Sequence, residues 1–310
     1  MPNHQSLMTN DYIRIPLNPT MKYIILLFAF AVVACNTPQQ TTTTTQPQTS
    51  NPKPETKTPE PKVYHGSETM VNDLVHTKLE IKPVWEKMQV KGKATITLHP
   101  HFNPTDTLVL NARSMDISEV SMVGAAGKRE FLDYSYDSLL LTIKLGRQFK
   151  RDENYTIYIS YTAKPEELPD GGSAAITRDK GFYFINADGK DTDKPKQFWT
   201  QGETESNSAW FPTIDKPNQK MTQEIYITVD TPLVTVSNGL MISSVKNSDG
   251  THTDYWKQSL PAAPYLVMVA ASDFAVVKDK WRNIEVNYYL DKDYEQYARM
   301  IFGLTPEMLE

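Results

Sequence analysis

The chain carries a single cysteine in 310 residues. Without a second thiol there is no intrachain disulfide, so any stable fold has to come from burial and hydrogen bonding. The main apolar run, Ile24 to Val33, has about ten residues and is too short to cross a bilayer comfortably. No long basic stretch occurs and the net charge is −5, so nothing recommends a nucleic-acid partner. Apolar residues at helical spacing are missing, beyond a turn or two, before about Asp293. What is present is 39% hydrophobic and 22% charged, the balance of a soluble globular protein with some low-complexity sequence.

The position of the one cysteine gives it a meaning. Lys22, the apolar run and Ala34 precede Cys35. A basic start, a short apolar stretch and a small residue before a cut form a secretory signal. Val32-Val33-Ala34-Cys35 resembles a bacterial lipoprotein box, although Val32 stands where Leu is usual. That resemblance implies lipidation of the Cys35 sulfur, with Cys35 as the new N-terminus. An ordinary signal peptide with an incidental cysteine is the alternative. On the lipoprotein reading, residues 21–35 are the signal, Met21 is the natural start and residues 1–20 are an upstream extension of the gene model. Several acyl chains would anchor the protein to a membrane, each buried methylene adding about 0.8 kcal/mol. Asn36 gives no inner-membrane retention signal of the Asp type, so the expected address is the cell envelope, at the outer membrane. Residues 36–62, rich in Thr, Pro and Gln with almost nothing to bury, read as a disordered tether.

From about Val63 the texture changes to short alternating segments. Thr77–Ile81, Val90–Leu98, Thr107–Leu110, Ser138–Leu145, Tyr155–Tyr161, Glu224–Val229, Leu233–Val236 and Tyr265–Ala270 read as strands. Period-two alternation leaves one face of each strand dry and the other wet. Residues 63–292 are therefore expected to form an all-β unit, a large antiparallel sandwich or saddle. Ser237-Asn238-Gly239 suits a tight hairpin turn. After Asp293, Tyr294, Tyr297, Ala298, Ile301 and Phe302 fall at helical spacing, and Thr305-Pro306 looks like a cap and first helical position. Residues 293–310 thus read as the helical start of a second domain, cut at its doorway.

The candidate chemistry sits in Thr200-Gln201-Gly202-Glu203, followed by Trp210-Phe211-Pro212 and Asp215-Lys216-Pro217. In an extended segment residues two apart share a side, so Gln201 and Glu203 can face one cavity. A carboxylate there would hold an α-ammonium through a charge-assisted contact, and an amide can both donate and accept. From spacing alone, two solvated loop residues are the favoured description. The block, together with Asp73–Ile81, Val90–Ile96, Val236–Leu240 and Pro264–Phe274 in the same order, resembles the N-terminal domain of the zinc aminopeptidase N family. The resemblance covers roughly Val71 to Phe274. It implies that Glu203 clamps the amino end of a peptide and that Gln201 lines the pocket for its first side chain. Ser208-Ala209 stands where many members carry Arg, which puts the local ion pairing around Asp215 in question.

In that family a catalytic zinc is held by His-Glu-x-x-His on one helix, with a further Glu downstream. The six histidines here, His4, His65, His76, His99, His101 and His252, form no such motif, and the Gly-x-Met-Glu-Asn segment is absent as well. Zinc is therefore implied for the complete enzyme, with its ligands and its catalytic residues outside this chain, and the chain alone is expected to cleave nothing. A missing catalytic domain would pack on the β unit. His99-Pro100-His101 reads as two exposed turn histidines with no third ligand near them. A non-catalytic, lipid-anchored binding or scaffold module is the rival reading, because a fold does not determine a function.

Overall fold

The structure is a computed structural model that describes residues 66, 68–169 and 179–310. The signal, the tether and the lipidation candidate Cys35 lie outside the described residues. The strands in chain order are β1 (Asn72–Val84), β2 (Gln89–Pro100), β3 (Thr105–Asn111), β4 (Met115–Val123), β5 (Arg129–Phe131), β6 (Tyr134–Tyr136), β7 (Leu140–Phe149), β8 (Tyr155–Ala163) and β9 (Phe182–Ile185). They continue as β10 (Gln197–Thr200), β11 (Met221–Asp230), β12 (Val234–Ser237), β13 (Leu240–Lys246), β14 (Thr251–Ala262), β15 (Val269–Ser272), β16 (Ala275–Trp281) and β17 (Ile284–Leu290). The all-β expectation holds.

An eight-stranded sheet runs in the order β13-β14-β11-β1-β2-β8-β4-β5. Its central strands alternate as their sequences do: Tyr155, Ile157, Ile159, Tyr161 and Ala163 of β8 point inward, as do Ile225, Ile227 and Val229 of β11. Each of the Ile and Val side chains contributes about 1.5–3 kcal/mol by leaving water. The sheet is antiparallel except between β1 and β11, which run parallel with Leu79 beside Ile225. Two smaller sheets, β3-β7-β6 and β12-β15-β10-β9, add to the main core, as do loop residues such as Trp210 and Phe211. Under β9 and β10 that core is aromatic. Phe182 stacks on Phe198 at 4.9 Å, and Trp85 meets Phe184 edge-on at 5.5 Å.

Three local expectations are corrected. Asn238-Gly239 does not close a hairpin, because β12 belongs to the four-stranded sheet and β13 to the eight-stranded one. The Asn238 amide instead donates to Leu266 O at 3.0 Å and its carbonyl accepts from Met268 N–H at 2.7 Å, tying the crossing to a loop. Tyr265 and Leu266 are not in a strand. They lie in a single 3-10 turn opened by Pro264, and β15 begins only at Val269. Near the C-terminal end, a 3-10 segment (Lys292–Tyr297) leads into α1 (Ala298–Phe302), and Ala298 is buried against Ala275, Val286, Tyr288 and Leu290 of the β16-β17 hairpin. The next turn, α2 (Thr305–Met308), starts after Leu304, so Thr305 is inside it rather than its cap, and the Thr305 hydroxyl donates back to Phe302 O at 2.6 Å.

Candidate functional site

Strand β10 ends at Thr200, so Gln201 and Glu203 lie just beyond it rather than within it. The ladder nevertheless extends one step further, since Gln201 N–H donates to Gly181 O at 2.9 Å. Alternation carries through this step. Phe198 and Thr200 are buried on the inner side, and the Thr200 hydroxyl accepts from Val269 N–H at 3.0 Å. Gly202 continues that inner side: a Cβ there would sit 2.1 Å from Tyr265 O and 2.6 Å from Asn207 Nδ2. Only glycine fits so close an approach. Trp199 and Gln201 therefore face the opposite, outer side.

Past Gly202 the chain turns sharply. The Glu203–Thr204 peptide bond is cis, and Ser206 N–H donates to Gly202 O at 2.9 Å. The Ser206 hydroxyl donates to Glu203 O at 3.1 Å and also bonds Asp179, whose carboxylate takes a 3.1 Å contact from Arg113. Asn207 is the main support beneath the turn. Fully buried, its amide donates to Pro264 O at 2.6 Å and Val267 O at 2.9 Å, while its carbonyl accepts from the Trp210 indole at 2.7 Å. Held on this base, Glu203 projects exposed, and its carboxylate has no hydrogen-bond or ion-pair partner among the described residues. The half-buried Gln201 side chain likewise has none. Glu205 differs, being paired with Lys216 at 3.2 Å. A free carboxylate on a rigid turn, beside an amide, is an arrangement that accepts an ammonium ion.

Asp215 is the residue that sequence reasoning left open. It is 1% exposed, and its Oδ2 accepts from Ser208 N–H at 2.8 Å. Its Oδ1 has no partner among the described residues. Arg113, the nearest cation in influence, is committed to Asp179. Burial pushes the Asp215 carboxyl up to about 6, with Glu205 adding to the rise and the Ser208 hydrogen bonds and the Arg113 charge opposing it.

The histidine pair is corrected too. His99 and His101 are half-buried, and a third group does lie near them. Asp73, opposite His99 across the ladder, accepts from or pairs with His101 Nδ1 at 2.7 Å and lies 4.0 Å from His99. The signal that would have found it is the antiparallel register of β1 and β2, which no local spacing reveals. Among the described residues no three His, Cys, Asp or Glu side chains come together in a way that would hold a metal ion.

Residues 63–266, more than half of the chain, match the family model for the peptidase M1 N-terminal domain. Puromycin-sensitive aminopeptidase of Caenorhabditis elegans is 26% identical over 234 residues, 72% of this chain and 23% of that protein. Endoplasmic reticulum aminopeptidase 1 of Mus musculus is 22% identical over 246 residues, 76% of this chain and 24% of that protein. Transcription initiation factor TFIID subunit 2 of Gallus gallus is 25% identical over 139 residues, 42% of this chain and 12% of that protein. Among solved structures, the M1 zinc metallopeptidase from Deinococcus radiodurans shares the fold with a TM-score of 0.58 at 16% identity, over 71% of this chain and 47% of that one. A two-domain M1 zinc metallopeptidase bound to L-tryptophan aligns with a TM-score of 0.59 at 15% identity, over 76% of this chain and 54% of that one. The chain thus spans about a quarter of the length of the curated aminopeptidases it matches and about half of the solved structures. With that model covering residues 63–266, the chain belongs to the M1 peptidase family through that family's N-terminal domain.

Proposed function

We propose that this domain receives the free amino end of a peptide on behalf of a zinc-dependent aminopeptidase, with Glu203 taking the α-ammonium and Gln201 flanking the first residue. The observation that carries this reading is the exposed Glu203 carboxylate, unpaired among the described residues, on a turn whose backbone is tied down from below by Ser206 and Asn207. Such preorganisation lowers the ordering cost of binding. The described residues do not fit a catalytic zinc, so the role proposed for this chain is confined to the amine end. The peptide-bond chemistry is assigned to a catalytic domain that packs on this one. The sequence around Cys35 supports the further proposal that the protein is held at the outer membrane of a bacterial envelope by acyl chains.

The test is titration of the chain with alanyl-alanine amide and with its N-acetyl form, followed by NMR chemical-shift changes. Only the free amine is expected to bind, and Glu203→Gln is expected to weaken it about tenfold, as loss of one charge-assisted hydrogen bond predicts. Equal binding by Glu203→Gln and the parent chain removes the assignment. The likeness to a transcription-factor subunit favours a second reading, in which the domain is a non-catalytic binding or scaffold module. That reading predicts no distinction between free and acetylated termini.

A further inference from the structure

The outer side of β10 carries more than an amine contact needs. Trp199 stands two residues before Gln201 on that side and is 40% exposed, whereas Trp85, Trp210 and Trp256 are buried. Its indole lies against Tyr183, its direct partner across the β9–β10 ladder, with ring centroids 4.5 Å apart and planes only 13° from parallel. The pair is backed by rigid material. Phe182 and Phe198, which neighbour it in sequence on the inner side, are fully buried in the aromatic core, and the Tyr183 hydroxyl accepts from Lys180 N–H at 3.4 Å. Cross-strand aromatic pairs hold each other's rotamers, so the exposed part of the Trp199 ring is fixed in place.

This pair lies on the same outer side of the chain as Gln201. Strand geometry puts the Trp199 and Gln201 backbones about 6–7 Å apart on one side. A peptide residue whose backbone lies at Gln201 reaches the pair only with a long side chain; a methyl group falls short. An anionic tip gains nothing from ring faces that carry partial negative charge. A flat ring gains stacking on top of simple burial.

Resting on the amine-end reading above, we propose that the stacked Trp199–Tyr183 pair is the specificity-determining surface for the first side chain of the bound peptide, and that it selects aromatic over small side chains. Stacking of one further ring corresponds to a preference of about three- to tenfold for phenylalaninamide over alaninamide.

The experiment measures the affinity of the chain for phenylalaninamide, alaninamide and N-acetyl-phenylalaninamide by NMR titration, in the parent and in Trp199→Ala and Trp199→Tyr. The parent is expected to favour phenylalaninamide over alaninamide within that range. Trp199→Ala is expected to bring the ratio to about one and Trp199→Tyr to restore most of it, with unfolding midpoints confirming that both variants fold. A ratio unmoved by Trp199→Ala overturns the role of the pair while leaving the amine clamp standing. Acetylated and free phenylalaninamide binding alike, with the ratio still dependent on Trp199, overturns the amine reading and leaves an aromatic surface alone. If neither amide binds saturably, both are refuted.

Discussion

Replacing Asp215 by Asn should change how the stability of the domain depends on pH. The wild-type carboxyl is buried, one of its oxygens has no partner among the described residues, and its pKa rises from 3.8 to about 6. A group whose folded pKa is raised stabilises the fold fully below its unfolded pKa, and that contribution is lost as pH rises through the folded value. The loss therefore falls between about pH 4 and pH 6 and is complete by pH 7. A shift of about two units is worth about 3 kcal/mol in all, of which about 2 kcal/mol lies between pH 4 and pH 7. Asparagine is nearly isosteric, keeps an acceptor for Ser208 N–H and does not titrate. Its absolute stability at pH 7 combines relief of the buried charge with the cost of placing a new NH2 group, which is itself about 1–3 kcal/mol if unsatisfied. The firm quantity is the double difference, in which every other carboxylate cancels: between pH 4 and pH 7 the variant should gain about 2 kcal/mol on the parent. Urea unfolding followed by tryptophan fluorescence at the two pH values measures it. Parallel stability changes in the two proteins, within about 0.5 kcal/mol, would refute the claim that this carboxylate is buried without a cation partner.

Two further substitutions test the interior, one beneath the site and one in the eight-stranded sheet. Asn207→Ala strips partners from the Pro264 and Val267 carbonyls and from the Trp210 indole, all in the interior, so a loss of about 2–5 kcal/mol is expected in denaturant unfolding. A loss under about 1 kcal/mol would show that the turn does not depend on it. Tyr161→Phe removes a buried hydroxyl with no partner among the described residues, on a ring that lies over Gly92, and should leave stability unchanged or raise it by about 1 kcal/mol. Clear destabilisation in the same assay would mean that the hydroxyl is bonded.

Much of the fold is legible because burial imposes a local period. Val90 to Leu98 alternates in sequence and alternates in burial, and the same holds for Tyr155 to Ala163 and Met221 to Val229. Tyr265-Leu266 misled because apolar β-formers extend past the place where Pro264 and the Asn207 and Asn238 side chains bend the backbone into a turn. Asn238-Gly239 misled for a related reason. Its glycine is demanded by a φ of +81° and by Lys257 O, which would sit 2.0 Å from a Cβ, while the strands on either side belong to different sheets.

Residue types and their order alone determined that this chain would build β-sheets and to which family's N-terminal-domain pattern it belongs. Those properties depend on neighbours a few positions apart, where alternation and turn chemistry act. The tertiary structure decided the rest. Among the described residues it left Glu203 unpaired while giving Glu205 to Lys216, put Trp199 outside and Trp210 inside, set Asp73 beside two histidines, and buried Asp215 without a cation partner. The Asp73 and Trp199 outcomes depend on strands meeting at a particular register and the others on how the loop after β10 folds back, and no local period encodes either.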